Sequence, residues 1–411
     1  MKWEGIGHCL SSKRIIGEIT QLEEIDYGKS NSIVLVADSV TPSELFSIKH
    51  VDKIKAIVLK HGSLGDHSAG LLNGLGIQLC ISEELPVVRS GLNILIDGEQ
   101  ERIYINELES LMKIYNNAFE KHSTYDSNNY ESLTQPLAYL DEPISILVDG
   151  KNSIELIEGI KNDADGIGIL RTDWINWDRP KFADIKTHYR IYKECAENVS
   201  PKKLNIRLFD LGGDKVPLWA TLFKEQMQSP LGYRGIRAIN LLDNAFKNQL
   251  NAIFKLSGEL DLGLLIPMVT DINEIDLILE LVPQNVADKI SIGAMIEVPS
   301  AATEIKQIIE QVDFIRIGPG DLTQFCLAKM RSNLSPLEFS GSSFHPAVIE
   351  LIKNVARECK YYKKDLSICL DIEPRIPLLK SLLQAGIRTF SASPANIQVT
   401  RQRIKSIIND M

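Results

Sequence analysis

The apolar positions of the chain follow two different rhythms. Between residues 5 and 107 they come as short runs rich in β-branched residues: 32–37 (SIVLVA), 54–59 (IKAIVL), 77–81 (IQLCI) and 92–96 (LNILI). Runs of that length bounded by turn residues predict strands. Asp97-Gly98 predicts a hairpin into a further strand at 102–105 (RIYI). A helix is predicted at 68–75, directly after His67. Residues 101–136 read as a helix followed by a loose connector, because 123–130 (STYDSNNY) is turn chemistry throughout. We therefore expect a first domain at 1–118, a linker at 119–140 and a second domain at 141–411.

In the second domain strands alternate with helices. Strands are predicted at 145–149, 166–171, 204–210, 263–269, 290–297, 314–318, 366–371 and 388–392. Helical periodicity occupies 154–161, 301–311, 347–361 and 376–385. Eight strands alternating with helices over about 270 residues match the count and length of a (β/α)8 barrel. A doubly wound open sheet has the same alternation, and periodicity leaves both α/β architectures open.

Composition narrows the function. Apolar residues make up 44% and charged residues 24%, as in a globular protein with a sizeable core. The 45 basic residues face 54 acidic ones, a net charge of −9, which argues against general nucleic-acid binding. No apolar run is long enough for a membrane span. The opening Met1-Lys-Trp-Glu-Gly5 lacks a secretory pattern, so a cytoplasmic protein is expected. The six cysteines form no Cys-x-x-Cys pair and read as reduced thiols.

A barrel carries its chemistry at the carboxyl ends of its strands. Those positions hold Arg171, Arg207, Glu297, Asp321 and Cys369, with Arg234 and Arg331 in nearby βα segments. Two carboxylates sharing a rim with four arginines suggest a divalent cation and a clamp for a small, highly anionic substrate. An all-oxygen pair with open positions suits Mg²⁺.

Five motifs carry a resemblance. Arg171-Thr-Asp173, 206–215 (IRLFDLGGDK), 231–237 (LGYRGIR), 294–302 (AMIEVPSAA) and 317–324 (IGPGDLTQ) resemble, in order, the phosphoenolpyruvate (PEP)-binding barrel motifs of the PEP-utilizing enzymes. That family comprises enzyme I of the bacterial sugar phosphotransferase system, pyruvate phosphate dikinase and PEP synthase. In the first half, 37–45 (ADSVTPSEL) resembles the enzyme I segment ahead of its phosphohistidine, and Gly65-Asp66-His67-Ser68 stands where that family has Thr-Ser-His-Thr. The resemblance implies a swivelling phosphohistidine domain ahead of a PEP-binding barrel, with His67 as phosphoryl acceptor. It implies that Glu297 and Asp321 bind Mg²⁺. Arg171, Arg207, Arg234, Arg331, Gly320 and Asp321 would hold PEP, and Cys369 would protonate the enolate to give pyruvate. A homodimer through the barrel and a hinge in the linker also follow from it.

The chain departs from the family pattern at four places. Gly65-Asp66 replaces Thr-Ser, Pro319-Gly320-Asp321 replaces Thr-Asn-Asp, Leu370-Asp371 replaces Gly-Glu, and Asp173 replaces a glutamate. Residues 10–30 are also too few for the helical subdomain with which enzyme I docks its carrier protein. No Gly-rich ATP-grasp region is read ahead of the histidine domain. The expected activity is PEP-dependent phosphorylation of His67, then transfer to an unidentified acceptor, a small carrier protein among the candidates. The alternatives are a PEP-binding regulatory or scaffold protein with reduced catalysis, and one component of a split synthase or dikinase.

Overall fold

Parallel strands buried on both faces need near-continuous apolar runs, and the second half of the chain supplies eight. The structure is a computed structural model, and it describes all residues except 12, 22–31, 40–52, 62–71, 73–76, 123–135, 214, 330–343, 371–372 and 411. The chain divides into two compact units, Met1–Thr134 and Gln135–Lys329 with Ser342–Met411.

Among the described residues the first unit is built on an eight-stranded mixed sheet. Its strands are β1 Trp3–Ile6, β2 His8–Cys9, β3 Arg14–Gln21, β4 Ile33–Ala37, β5 Ile54–Leu59, β6 Gln78–Ile81, β7 Asn93–Asp97 and β8 Arg102–Ile105, in the order β1-β8-β7-β3-β4-β5-β6-β2. The middle strands β3 to β6 run parallel, and the expected hairpin pairs β7 with β8 antiparallel. Ile19, Val34, Val58, Ile94 and Ile103 form part of its core. Strands β1 to β3 were not predicted. In β3 (RIIGEITQ) only Gly17 and Ile19 are buried, so the apolar signal is weak there. The structure also corrects the reading of six reduced thiols: Cys9 and Cys80, opposite each other on β2 and β6, form a disulfide. Cys195, Cys326, Cys359 and Cys369 form no disulfide. The helix Leu108–His122 follows β8. His67 and all of the helix expected at 68–75 except Leu72 lie outside the described residues.

The second unit opens with a short strand missed by the sequence reading, β9 Leu137–Tyr139, paired antiparallel with the next. Then come β10 Glu142–Gly150, β11 Gly166–Leu170, β12 Leu204–Arg207, β13 Leu262–Ile266, β14 Ile290–Ile296, β15 Phe314–Ile317, β16 Asp365–Leu370 and β17 Thr389–Ala392. Each pairs in parallel with its neighbour, and β10 pairs with both β11 and β17, so the sheet closes into a (β/α)8 barrel. The open doubly wound sheet is thereby excluded. Polar caps start several of the outer helices: Asn152 accepts from Glu155 N, Asp184 from Thr187 N and Asp271 from Asn273 N. Ile169, Leu265, Met295, Phe314 and Cys369 pack as one cluster, separate from the larger core that includes the outer helices.

The third barrel strand ends earlier than predicted. After Arg207 a single bond from Leu208 N to Leu265 O (2.9 Å) continues the ladder. The chain then turns through Gly212 and Gly213, at φ +125° and +68°. A side chain at Gly212 would also meet Tyr233 O at 2.5 Å, so glycine is required there twice over. The turn is what brings Lys215 back toward the strand end.

Candidate active site

The barrel brings Arg207, Arg234, Glu297 and Asp321 together at the carboxyl ends of its strands, joined by three residues to which the sequence reading assigned no role: Asp173, Asp210 and Lys215. Arg207 ends β12 and pairs with Asp173, which also accepts from Asp210 N at 2.9 Å. Lys215 Nζ lies 2.6 Å from Asp210 Oδ2 and 3.5 Å from Asp173 Oδ2. Arg234 reaches Asp210 at 3.0 and 3.1 Å and clasps Asp321 with two bonds of 2.8 Å. All seven side chains are buried, Glu297 to 1% exposure.

Charge decides how such a cluster is tolerated. Three cations, Arg207, Lys215 and Arg234, are matched to three carboxylates, Asp173, Asp210 and Asp321. Burial pushes the acids toward neutrality. Arg207 and Lys215 outweigh it at Asp173, and Arg234, Lys215 and Arg207 hold Asp210 well below the carboxylate range. Against the same burial, Asp210 and Asp321 raise Arg234 well above its ordinary value. Glu297 is the acid left over. Burial, then repulsion from Asp210 and Asp321, pushes it up to about 8, and its Oε1 accepts from Met268 N at 2.7 Å. These influences favour the protonated carboxyl, and a nearby cation would favour the ionised one.

The donor set fits Mg²⁺. Glu297 and Asp321 offer oxygen only, and the repulsion from Asp210 and Asp321 that disfavours an ionised Glu297 is what a divalent ion would relieve. Among the described residues no group of three or more His, Cys, Asp or Glu side chains could hold a metal. A two-carboxylate site completed by substrate and water is what this rim can offer.

The remaining predicted residues are placed as follows. Arg171, just after β11, is the least buried of the described arginines of the set and lies 3.5 Å from Asp149 of β10. Gly320 and Asp321 stand in the first turn of the helix Pro319–Leu327, where backbone N–H groups have no partner within the helix. Cys369 is buried on β16 opposite Ser391. Arg331 lies outside the described residues, as does His67.

A second layer supports Arg207 from behind. Thr172 Oγ1 donates to Arg207 O at 2.8 Å, and Gln249, fully buried, donates to Thr172 Oγ1 at 2.9 Å and to Tyr192 OH at 3.0 Å. Gln249 Oε1 accepts from Phe209 N at 3.0 Å. Behind Tyr192, His188 Nδ1 lies 2.9 Å from the phenol oxygen.

The fold and the site together define a (β/α)8 barrel that gathers Arg207, Lys215 and Arg234 among four carboxylates at the carboxyl ends of its strands, where such barrels carry their chemistry. Residues 131–408 match the family described as PEP-utilising enzyme, PEP-binding domain. The chain belongs to the PEP-utilising enzymes. It is 27% identical over 416 residues to a phosphoenolpyruvate-protein phosphotransferase of Bacillus subtilis, covering 96% of this chain and 71% of that one. The protein of the same name from Staphylococcus aureus is 27% identical over 421 residues, again 96% and 71% of the two chains. Among solved structures, the citrate synthase SbnG overlaps 65% of this chain and 93% of its own at 13% identity and a TM-score of 0.33.

Proposed function

We propose that the chain is a PEP-dependent phosphotransferase that moves the phosphoryl group of PEP to His67 and releases pyruvate. The observation that supports this best is the buried ring of Arg207, Lys215 and Arg234 around Asp173, Asp210 and Asp321, because phosphoryl transfer asks for alignment and charge neutralisation above all. An imidazole nitrogen of His67 attacks phosphorus as the bond to the enol oxygen breaks. The enolate leaves, and Cys369 supplies a proton to its terminal carbon. Arg171, Arg207, Arg234 and Arg331 orient phosphate and carboxylate. Glu297 and Asp321 would hold Mg²⁺, which neutralises phosphate charge when bound. For Arg234 this means exchanging Asp321 for substrate. His67 must reach the rim and leave it again. The phosphoryl group then passes to an acceptor, a small carrier protein being one candidate.

The test is incubation with ³²P-labelled PEP and Mg²⁺. An acid-labile, base-stable label that disappears in His67→Ala is the expected result. PEP binding seen by calorimetry without any label would overturn the reading and favour a PEP-binding regulatory protein.

A further inference from the structure

Arg316 is a charged residue in an unexpected place, the middle of a barrel strand. It lies on β15, and its register partner on β16 is Ser367, two residues before Cys369. Alternate strand residues share a face, so Ser367 and Cys369 point to the same side. Phe314 packs in the interior cluster with Cys369, and the Arg316 guanidinium lies over its ring at 4.9 Å. Arg316 is only 7% exposed. Its Nη1 donates to Ile315 O at 3.2 Å, while its Nε is buried with no hydrogen-bond partner. An arginine keeps its charge in such a place, so a cation is held inside the barrel incompletely satisfied.

We propose that Arg316 is a positioning residue for the proposed reaction, holding Cys369 as a stabilised thiolate after it has given up its proton. This rests on the reading of Cys369 as proton donor. In the step concerned, the enolate's carbon–carbon π pair forms the new C–H bond, the S–H bond breaks, and sulfur keeps that bonding pair. The negative charge thus moves from enolate oxygen to sulfur, beside the guanidinium, and the thiolate later regains its proton from solvent. A neighbouring cation lowers a thiol's pKa, whereas apolar burial raises it.

Other charges share this interior. Asp149 of β10 faces the same interior but is paired with Arg171, and Asp365 opens β16 itself. From β17 the neighbour is the uncharged Ser391. Arg207 and Glu297 belong to the rim above, and Asp371 lies outside the described residues. Burial pulls Arg316 below its ordinary pKa, and attraction to Cys369 is the strongest influence opposing that, ahead of Asp149 and Asp365. Cys195 and Cys359 show the opposite situation: burial, then a neighbouring Glu194 or Glu358, pushes each up to about 12.

The measurement is the ultraviolet thiolate absorbance of the full-length protein across a pH titration, taken as the difference between wild type and Cys369→Ser. It needs no turnover, so its outcome is separate from that of the labelling test. The expected value for Cys369 is at or below about 8.5, the value of a free thiol. A value above that would overturn the proposal, and this holds even if no Arg316 variant folds. In Arg316→Gln the pKa should rise by about one unit or more, with Arg316→Lys restoring most of the difference. A low wild-type value left unchanged by Arg316→Gln would assign the effect elsewhere and equally sink the idea.

Discussion

His188 shows how a single buried group ties stability to pH. It sits on the helix Ile185–Val199 with no exposure, its Nδ1 beside Tyr192 OH. Burial lowers its pKa from 6.5 to about 4, with Asp184 opposing. The unfolded chain takes up a proton as pH falls through 6.5, whereas the folded chain does not until about 4. The unfolded state therefore binds more protons in that window, and stability declines as pH falls across it. The depression corresponds to at most about 3 kcal/mol. Urea denaturation between pH 7 and 4 should show this slope, and His188→Gln, which can still accept from Tyr192, should flatten it. An identical slope in the variant would mean that other groups carry the acid sensitivity.

At the scale of elements, the helix Asp243–Leu256 acts as a brace for the end of β12. Gln249 reaches from it to Thr172 Oγ1, Tyr192 OH and Phe209 N. Gln249→Leu keeps much of the volume but strips those groups of their partner. The expected loss is about 1–3 kcal/mol in thermal or urea unfolding, with weaker PEP binding because Arg207 is no longer held from behind. Unchanged PEP affinity would reduce Gln249 to a packing role.

This brace was not legible in the sequence, and the reason is physical. A glutamine inside an amphipathic helix looks like any surface residue until the strand it meets is known. The barrel strands were legible because burial on both faces demands uninterrupted apolar runs, as in LGLLI of β13 and ISIGAMI of β14. The place of Glu297 was legible too, since a charge directly after such a run has nowhere to go but the rim. Arg316 was not. In FIRI it interrupts an apolar run, and only the closed barrel shows that its neighbours include Phe314 and the thiol-bearing strand.

The whole molecule offers a test that keeps its two halves apart. Each compact unit has its own hydrophobic core, Ile19, Val34 and Ile103 in one and Ile206, Leu264 and Ile317 in the other. Separate cores predict two transitions in calorimetry rather than one. Ligand that binds only the native barrel stabilises that unit by mass action, about 2.7 kcal/mol at a hundred times its Kd, so PEP with Mg²⁺ should raise one transition by several degrees. Reductant should act on the other. The Cys9–Cys80 bond closes a separation of 71 residues, and a cross-link over a loop of that size adds up to about 4 kcal/mol by constraining the unfolded chain. The cysteines of the second unit form no disulfide, so its transition should not respond. If PEP and reductant moved the same transition, or if a single transition answered to both, the two units would be one cooperative body. The separate motion proposed for transfer through His67 would then lose this support.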